Sequence, residues 1–210
     1  MKSFVIAFLM LFAVTAGADP QAGFEYQQTQ QVIPTDNPAK IEVVELFWYG
    51  CPHCYALEPK LEAWVKNLPK DVEFKRVPGI ARPDWAPAAK AYYAMEALGV
   101  VDKLHGAFFD AIHKQRAVNP EDEAAMADWI TKQSGLDRKK VNDAFKSFSV
   151  NTKMMRAMQM FRASGATGVP TLIVEGRVWT SSTVAGGNDE MLKVTDYLID
   201  KARAEKSAKH

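Results

Sequence analysis

The only two cysteines of the 210-residue chain, Cys51 and Cys54, are separated by two residues. Thiols at this spacing can bind a metal, close a structural disulfide or exchange disulfides with other proteins. A structural zinc site needs four ligands, but there is no second cysteine pair and no finger-like spacing among the histidines outside this segment, His105, His113 and His210. A purely structural disulfide would close too short a loop to restrain much of the unfolded chain. The pair therefore predicts a redox-active dithiol, with no metal.

The elements around the pair place Cys51 at the start of a helix. Residues 41–48 form a β-branched and aromatic run that predicts a buried strand. Apolar side chains then recur at helical spacing, and Pro52 suits a first helical turn because its missing N–H is not needed there. Free N–H groups and the positive end of the helix dipole favour a thiolate at this position, so Cys51 is the candidate nucleophile. Cys54, one turn later on the packed side, is the candidate resolving thiol.

The chain closely resembles the DsbA family of bacterial periplasmic disulfide oxidoreductases in residues 43–55, VVELFWYGCPHCY, and in Gly168-Val169-Pro170-Thr171 far downstream. The specific part is the Pro-His pair between the cysteines, since related thioredoxin-fold reductases usually carry Gly-Pro there and eukaryotic isomerases Gly-His. The resemblance implies an α/β, thioredoxin-like fold with an inserted all-helical domain. We expect the thioredoxin-like domain to comprise residues 19–81 and 150–210, and the insertion to comprise residues 82–149.

The hydrophobic pattern supports a helical insertion. Between residues 88 and 148, four apolar stripes at helical spacing are separated by glycine or proline, and the fourth consists of Val141, Phe145 and Phe148. The next helix carries a stripe that we assign to the core, with a flexible binding surface as the alternative: Met154, Met155, Met158 and Phe161. We also predict an edge strand within residues 24–32, a hairpin over residues 171–179 and a closing amphipathic helix.

The resemblance assigns roles to residues on both sides of the dithiol. Pro170 looks like the cis-proline that faces the cysteines in thioredoxin-like folds, with Gly168 before it and Val169 offering its backbone to an extended substrate; without the family, Gly-x-Pro predicts only a turn. We expect the ring of His53 to stabilise the Cys51 thiolate, the alternative being an exposed histidine without a role.

Glu45 is a carboxylate in an otherwise apolar strand, where an unpaired charge would be costly. One possibility is an edge position with the carboxylate in water. The other, which the resemblance supports, is a buried acid near Cys54 that handles its proton during exchange. Lys75 or Arg76 of the neighbouring strand could pair with Glu45, and the sequence leaves that choice open.

The first 18 residues predict where the protein works. A basic start at Lys2, a short apolar run and Ala16-Gly17-Ala18 are typical of a signal peptide cleaved after Ala18, so we expect an exported protein, and the family resemblance implies the periplasm. Without Lys2 the mature chain has 25 basic and 25 acidic residues, a balance that argues against nucleic acid as a partner.

Taken together, these features predict a thiol:disulfide oxidoreductase that donates the Cys51–Cys54 disulfide to newly exported proteins. The expected cofactor is none beyond that disulfide. The expected partners are unfolded or partly folded secreted proteins and, as the resemblance implies, a membrane-bound reoxidase of the DsbB type, with the protein itself a monomer. The alternatives are a reductase or isomerase of the same fold, or a holdase chaperone with secondary redox activity.

Overall fold

A mixed five-stranded sheet forms the centre of the computed structural model, which describes residues 19–208. The predicted signal peptide, residues 1–18, lies outside the described residues. The strands are β1 (Gln27–Gln28), β2 (Ile41–Phe47), β3 (Val72–Pro78), β4 (Thr171–Val174) and β5 (Val178–Ser181). Their order is β1-β5-β4-β2-β3, with β2 and β3 parallel and the other pairs antiparallel. Across residues 19–208, no helix is long and apolar enough to cross a membrane.

Strand β2 is the central element that leads to the cysteines. All seven of its residues are buried, and it pairs with β3 on one side and β4 on the other. The predicted buried strand is therefore confirmed. The chain then turns into helix α1 (Pro52–Lys66), which continues through Pro59, and returns in β3.

One short 3₁₀ helix and five α-helices occupy the stretch between β3 and β4. A 3₁₀ helix at Pro83–Trp85 precedes α2 (Ala86–Ala97), α3 (Val101–His113), α4 (Glu123–Ser134), α5 (Arg138–Lys146) and α6 (Phe148–Ser164). Asp122 and Asp137 cap α4 and α5 by accepting hydrogen bonds from backbone N–H groups of their first turns. Gly135 ends α4 in the left-handed region, with a φ of 72°.

The largest core cluster joins these helices to the end of β2. Buried side chains of α2 to α6 pack in one group with Phe47, Tyr49 and both cysteines. A second cluster lies between the sheet, α1 and the last helix, and a third packs α6 against β2, β4 and β5. The helical layer is thus in direct contact with the segment that carries the dithiol.

Two of the predicted helical stripes differ from the structure. Phe148 is 86% exposed, so its assignment to the fourth stripe was wrong. Ser147 ends α5 and also caps α6, which starts a new helical register in which Phe148 faces outward. Met155 is 56% exposed, whereas Ala157 and Phe161 are buried, so the methionine stripe does not belong to the core as a whole.

The chain ends with a hairpin and a long helix, as predicted. Strands β4 and β5 are joined by residues 175–177, of which Glu175 and Gly176 have positive φ. A Cβ at position 176 would lie 1.9 Å from the Ile33 carbonyl oxygen, so only glycine fits there. A short helix α7 (Ser182–Ala185) and α8 (Asn188–Ser207) complete the fold. The edge strand β1 lies within the predicted residues 24–32 but comprises only two of them.

Candidate active site

The turn between β2 and α1 presents Cys51 at the helix N-terminus. The Cys51 N–H donates to the Trp48 carbonyl at 2.9 Å, which closes the turn, and Cys51 is the N-cap residue of α1. In that position its Sγ accepts the N–H of Cys54 at 3.4 Å. The two thiols are free and buried, and they lie on the first turn of the same helix.

The two sulfurs have opposite electrostatic environments. A hydrogen bond from the Cys54 side chain is the largest influence that lowers the pKa of Cys51, to about 6. Burial opposes it, while the backbone N–H groups of Cys54 and His53 and the charge of His53 lower it further. Burial raises the pKa of Cys54 well above its ordinary value, and Cys51 and Glu45 raise it further. Cys51 is thus set up as the thiolate and Cys54 as the thiol.

His53 and Pro52 both lie on the exposed side of α1. The backbone N–H of His53 contributes more to the low pKa of Cys51 than its ring charge does. Pro52 is the first residue of the helix, where no N–H is required.

The segment from Gly168 to Thr171 lies directly against Cys51. The Val169–Pro170 peptide bond is cis, and the Cys51 thiol donates to the Val169 carbonyl at 3.4 Å. The Thr171 hydroxyl donates to the Gly168 carbonyl at 2.8 Å and fixes the loop before β4. This arrangement leaves the backbone of Val169 beside the reactive sulfur.

A groove of about 400 Å³ starts at this segment. Residues 167–171 form one wall, and His53, Trp179 and residues 181–184 complete it. A larger cavity of about 680 Å³, between the N-terminal segment, the hairpin turn and the end of α8, is lined by no residue of the cysteine turn. Of these two cavities, the smaller groove is therefore the one that adjoins the cysteine turn, through His53 and Val169.

Glu45 is buried in the central strand, with 1% of its surface exposed, so it does not lie at a sheet edge. The parallel register places Arg76 directly opposite, and Arg76 Nε lies 3.3 Å from Glu45 Oε2 as a charge contact rather than an aligned hydrogen bond. Lys75 points to the other face of β3, where it pairs with Glu42 at 2.6 Å. The structure thus selects Arg76 as the partner of Glu45.

Arg76 is shared by three carboxylates. Besides Glu45 it contacts Glu58 at 3.2 Å and Glu62 at 2.5 Å. Burial raises the pKa of Glu45 to about 8, with Arg76 opposing the shift and the two other carboxylates adding to it. His105 and Arg76 outweigh burial at Glu58 and lower its pKa. Burial, helped by the two neighbouring carboxylates, therefore keeps a proton on Glu45, which is among the groups that raise the pKa of Cys54.

Aromatic residues pack around the turn in ways that the sequence did not distinguish. Trp48 stacks on Trp85 with ring centroids 4.7 Å apart, and a Cβ on Gly50 would lie 2.4 Å from the Trp48 ring. Tyr49 is buried, with its hydroxyl 2.7 Å from Nδ1 of His105. Tyr55 stacks on a second histidine of α3, His113. The Tyr55 hydroxyl donates to Asp110 of the same helix.

Several residues of this site were missed in the sequence: Glu58, Glu62, Trp85, His105, Asp110 and His113. The available signal was the spacing of His105 and His113, which lie eight residues apart on one face of a helix that also carries apolar side chains toward the core.

A thioredoxin-like fold with an acidic, helix-capping Cys51 next to a buried thiol defines a thiol:disulfide oxidoreductase. The family model of the DSBA-like thioredoxin domain matches residues 70–198. The protein named thiol:disulfide interchange protein DsbA of Pseudomonas aeruginosa is 41% identical over 203 residues, covering 95% of this chain and 94% of the relative. Its namesake from Bordetella parapertussis is 42% identical over 200 residues, covering 94% and 93%. The chain belongs to the DsbA family.

Solved structures agree with this assignment. The crystal structure of Pseudomonas aeruginosa DsbA superposes with a TM-score of 0.83 at 40% identity, covering 90% of this chain and 97% of that one. The oxidoreductase DsbA from Xylella fastidiosa gives a TM-score of 0.81 at 32% identity, covering 88% and 98%. The thioredoxin-like fold and the disulfide oxidoreductase activity expected from the sequence are confirmed.

Proposed function

We propose that this oxidoreductase is a periplasmic dithiol oxidant that donates the Cys51–Cys54 disulfide to exported proteins. The observation that carries the proposal is the difference between the two sulfurs: the pKa of Cys51 is lowered to about 6, while that of Cys54 is raised well above its ordinary value. A stabilised Cys51 thiolate favours the reduced enzyme, and an enzyme that favours its own reduction oxidises its substrates.

The reaction transfers two electrons in two exchange steps. A substrate thiolate attacks Cys51 Sγ, the Cys51–Cys54 bond breaks, and Cys54 leaves with the bonding electron pair. A second substrate thiolate then attacks the substrate sulfur of the mixed disulfide and expels the Cys51 thiolate. The substrate gains a disulfide and the enzyme becomes a dithiol, so no bound cofactor is required.

Glu45 supplies the proton that Cys54 needs as it leaves. A carboxyl with a pKa of about 8 carries a proton at neutral pH, and Glu45 is among the groups that act on the pKa of Cys54. Arg76 and its two other carboxylates link Glu45 to Glu62, whose side chain is 42% exposed. Arg76 keeps its own proton, so this connection couples Glu45 electrostatically to a carboxylate that solvent reaches and does not itself carry a proton.

The groove beside Pro170 receives the substrate in this proposal. The Val169 carbonyl is free to accept a backbone N–H of an extended chain once the Cys51 thiol no longer donates to it. Pro170, which follows Val169, is buried, and Gly168, which precedes it, has no side chain. Exported chains that are still unfolded can adopt the extended conformation that this contact requires.

A membrane-bound reoxidase of the DsbB type is the partner that would restore the disulfide, since the protein is left as a dithiol after each substrate that it oxidises. The predicted signal peptide supports a periplasmic location, and the protein is proposed to act there as a monomer.

The size of the thiolate effect follows from the two pKa values. Relative to an unfolded cysteine at about 8.5, a folded pKa of about 6 stabilises the reduced form by about 1.4 kcal/mol at pH 7. For two electrons that corresponds to roughly 30 mV. Thiolate stabilisation therefore makes the disulfide more oxidising by that amount.

The deciding experiment is the equilibrium of the purified protein with glutathione at pH 7. An oxidant is expected to stay reduced in buffers that still contain much oxidised glutathione, whereas a reductase would be fully oxidised in them. Cys51→Ser should abolish turnover. A protein that still prevented aggregation of unfolded chains but had no measurable exchange would support the chaperone alternative instead.

A further inference from the structure

Helix α3 holds the residues on both sides of the Cys-Pro-His-Cys segment. Tyr49 lies two residues before Cys51, and Tyr55 follows Cys54 directly. Both tyrosines contact the side of α3 on which Phe109 and His113 lie, four residues apart.

Tyr49 is bonded to α3 at two points. Its hydroxyl lies 2.7 Å from Nδ1 of His105, and its backbone carbonyl lies 2.7 Å from Nε2 of His113. A carbonyl oxygen only accepts, so the His113 Nε2 carries the proton and donates. Between these contacts, the Tyr49 ring packs edge-on against Phe108 and Phe109 at 4.6 and 4.9 Å.

Tyr55, which follows the second cysteine, is bonded to the same helix. Its hydroxyl donates to Asp110 Oδ1 at 2.8 Å, and its ring stacks on that of His113 at 4.8 Å with an angle of 11° between the planes. His113 therefore contacts both tyrosines, one through an N–H and the other through its ring face.

These contacts hold the two segments that surround the Cys51 sulfur. Tyr49 and Gly50 are the central residues of the turn that the Cys51 N–H closes on the Trp48 carbonyl. Tyr55 belongs to the first turn of α1, whose N–H groups face Cys51 Sγ. Hydrogen bonds weaken steeply as they lose alignment. The angle between the Trp48–Cys51 turn and helix α1 therefore decides how strongly the α1 N–H groups stabilise the Cys51 thiolate.

We propose that α3 clamps the active-site turn through Tyr49 and Tyr55, and that His113 is the positioning residue that holds the α1 N–H groups aligned with Cys51 Sγ. The clamp rests on the proposed function, because it explains how the thiolate of an oxidant is kept in place. His113 touches neither sulfur in this arrangement and acts only through Tyr49 and Tyr55.

The charged and titratable groups around the clamp are distributed over three elements. His105 faces Glu58 of α1 at 3.3 Å and the Tyr92 ring of α2 at 6.1 Å. His113 faces Tyr55 of α1, next to the Asp110 carboxylate of its own helix. The Nε2–H of His113 is present in both the neutral and the charged ring, so its bond to the Tyr49 carbonyl does not depend on the charge of the ring.

His113→Phe tests the clamp, because phenylalanine keeps a flat ring to stack on Tyr55 and removes the N–H donor. The matched control is His113→Gln, which gives up the ring but keeps an N–H at a similar reach. In His113→Phe we expect two constants to fall: the acid dissociation constant of the Cys51 thiol and the equilibrium constant for oxidising glutathione. Each should fall by roughly three- to tenfold, which corresponds to the net free energy of one hydrogen bond. In His113→Gln both should stay closer to wild type.

The decisive readouts are the thiolate absorbance titration and the glutathione equilibrium, with urea melts of both redox forms beside them. A purely structural role would lower the stability of the two forms equally and leave both constants unchanged, which would overturn the proposal. If His113→Phe does not fold, Tyr55→Phe removes only the hydroxyl bound to Asp110 and should shift both constants in the same direction. An unchanged Tyr55→Phe would then overturn the clamp.

Wild-type protein measured in parallel separates this inference from the proposed function. If wild type is a weak oxidant with an ordinary Cys51 thiol, the proposed function fails whatever the variants show. If wild type is a strong oxidant and His113→Phe equals it, only the clamp fails.

Discussion

Replacing Glu45 by glutamine should make the protein more stable at pH 7 while slowing its chemistry. Glutamine has nearly the same shape and no charge. The pKa of Glu45 is raised from 4.5 to about 8 by burial, so the folded protein holds a proton that the unfolded chain releases. Stability therefore falls as pH rises from 4.5 toward 8. At 1.36 kcal/mol per pKa unit, the 2.5 units between pH 4.5 and pH 7 amount to a loss of about 3 kcal/mol.

Glu45→Gln removes this loss, so the variant should exceed wild type by up to about 3 kcal/mol at pH 7 and by little near pH 4. Arg76 keeps Glu58 and Glu62 as partners, so its guanidinium charge remains paired in the variant. Urea melts of the oxidised forms at pH 4, 5.5 and 7 measure the difference without any contribution from the Cys51 thiolate. A variant whose stability follows the same pH dependence as wild type would refute the raised pKa.

The matched control is Glu42→Gln, the same substitution at another buried position of β2. Glu42 accepts hydrogen bonds from Lys75 at 2.6 Å and from the Asp36 N–H at 3.2 Å, so its loss should destabilise the fold. The exchange rate adds an independent readout, because only Glu45→Gln should slow the expulsion of Cys54, by at least roughly tenfold. If both variants exchange at the wild-type rate, Glu45 does not supply the Cys54 proton.

Three further outcomes follow from the geometry. His53→Ala should raise the pKa of Cys51 only slightly, since the ring charge is the smallest of its named influences; a thiolate titration with a large shift would contradict that order. Gly50→Ala should cost about 1–3 kcal/mol in urea melts, because its Cβ would meet the Trp48 ring at 2.4 Å, and an unchanged midpoint would show that the ring moves aside freely. Between pH 4 and pH 7 the reduced form should gain about 1.4 kcal/mol over the oxidised form, since a depressed pKa of about 6 adds stability as pH rises through it; parallel melts with no such gain would argue against a stabilised thiolate.

The parts of the site that could be predicted from the sequence are local ones. The strand before Cys51 and the helix after Pro52 depend on neighbouring residues, and both were found where the pattern placed them. The choice between Lys75 and Arg76 required the register of two strands that are distant in sequence, which no local pattern contains. The contacts of His105 and His113 depend on how α3 docks on the active-site turn, and their spacing alone did not indicate a partner.

The errors also have physical causes. The predicted edge strand is shorter at its start because residues 23–25 form a turn, in which the Gly23 N–H donates to the Tyr26 carbonyl at 2.8 Å. The Glu25 carbonyl accepts from the Thr180 hydroxyl at 2.7 Å instead of from a backbone N–H of β5. Phe148 continued the apolar spacing of α5, but the Ser147 cap starts a new helix at that point. When apolar residues keep the same spacing across a one-residue junction between two helices, their pattern does not reveal the junction.

The difference in pKa between Cys51 and Cys54 also affects how long a substrate stays bound as a mixed disulfide. Cys54 can reverse the first exchange only as a thiolate, and burial keeps its pKa so high that almost none is present at neutral pH. The covalent complex is therefore slow to return a substrate unchanged, which gives the substrate time to bring its second cysteine into range. A client with a single cysteine has no such second thiol, so it should remain bound until an outside thiol releases it. The pKa difference between Cys51 and Cys54 that favours oxidation therefore also favours substrates whose chain brings two cysteines together quickly.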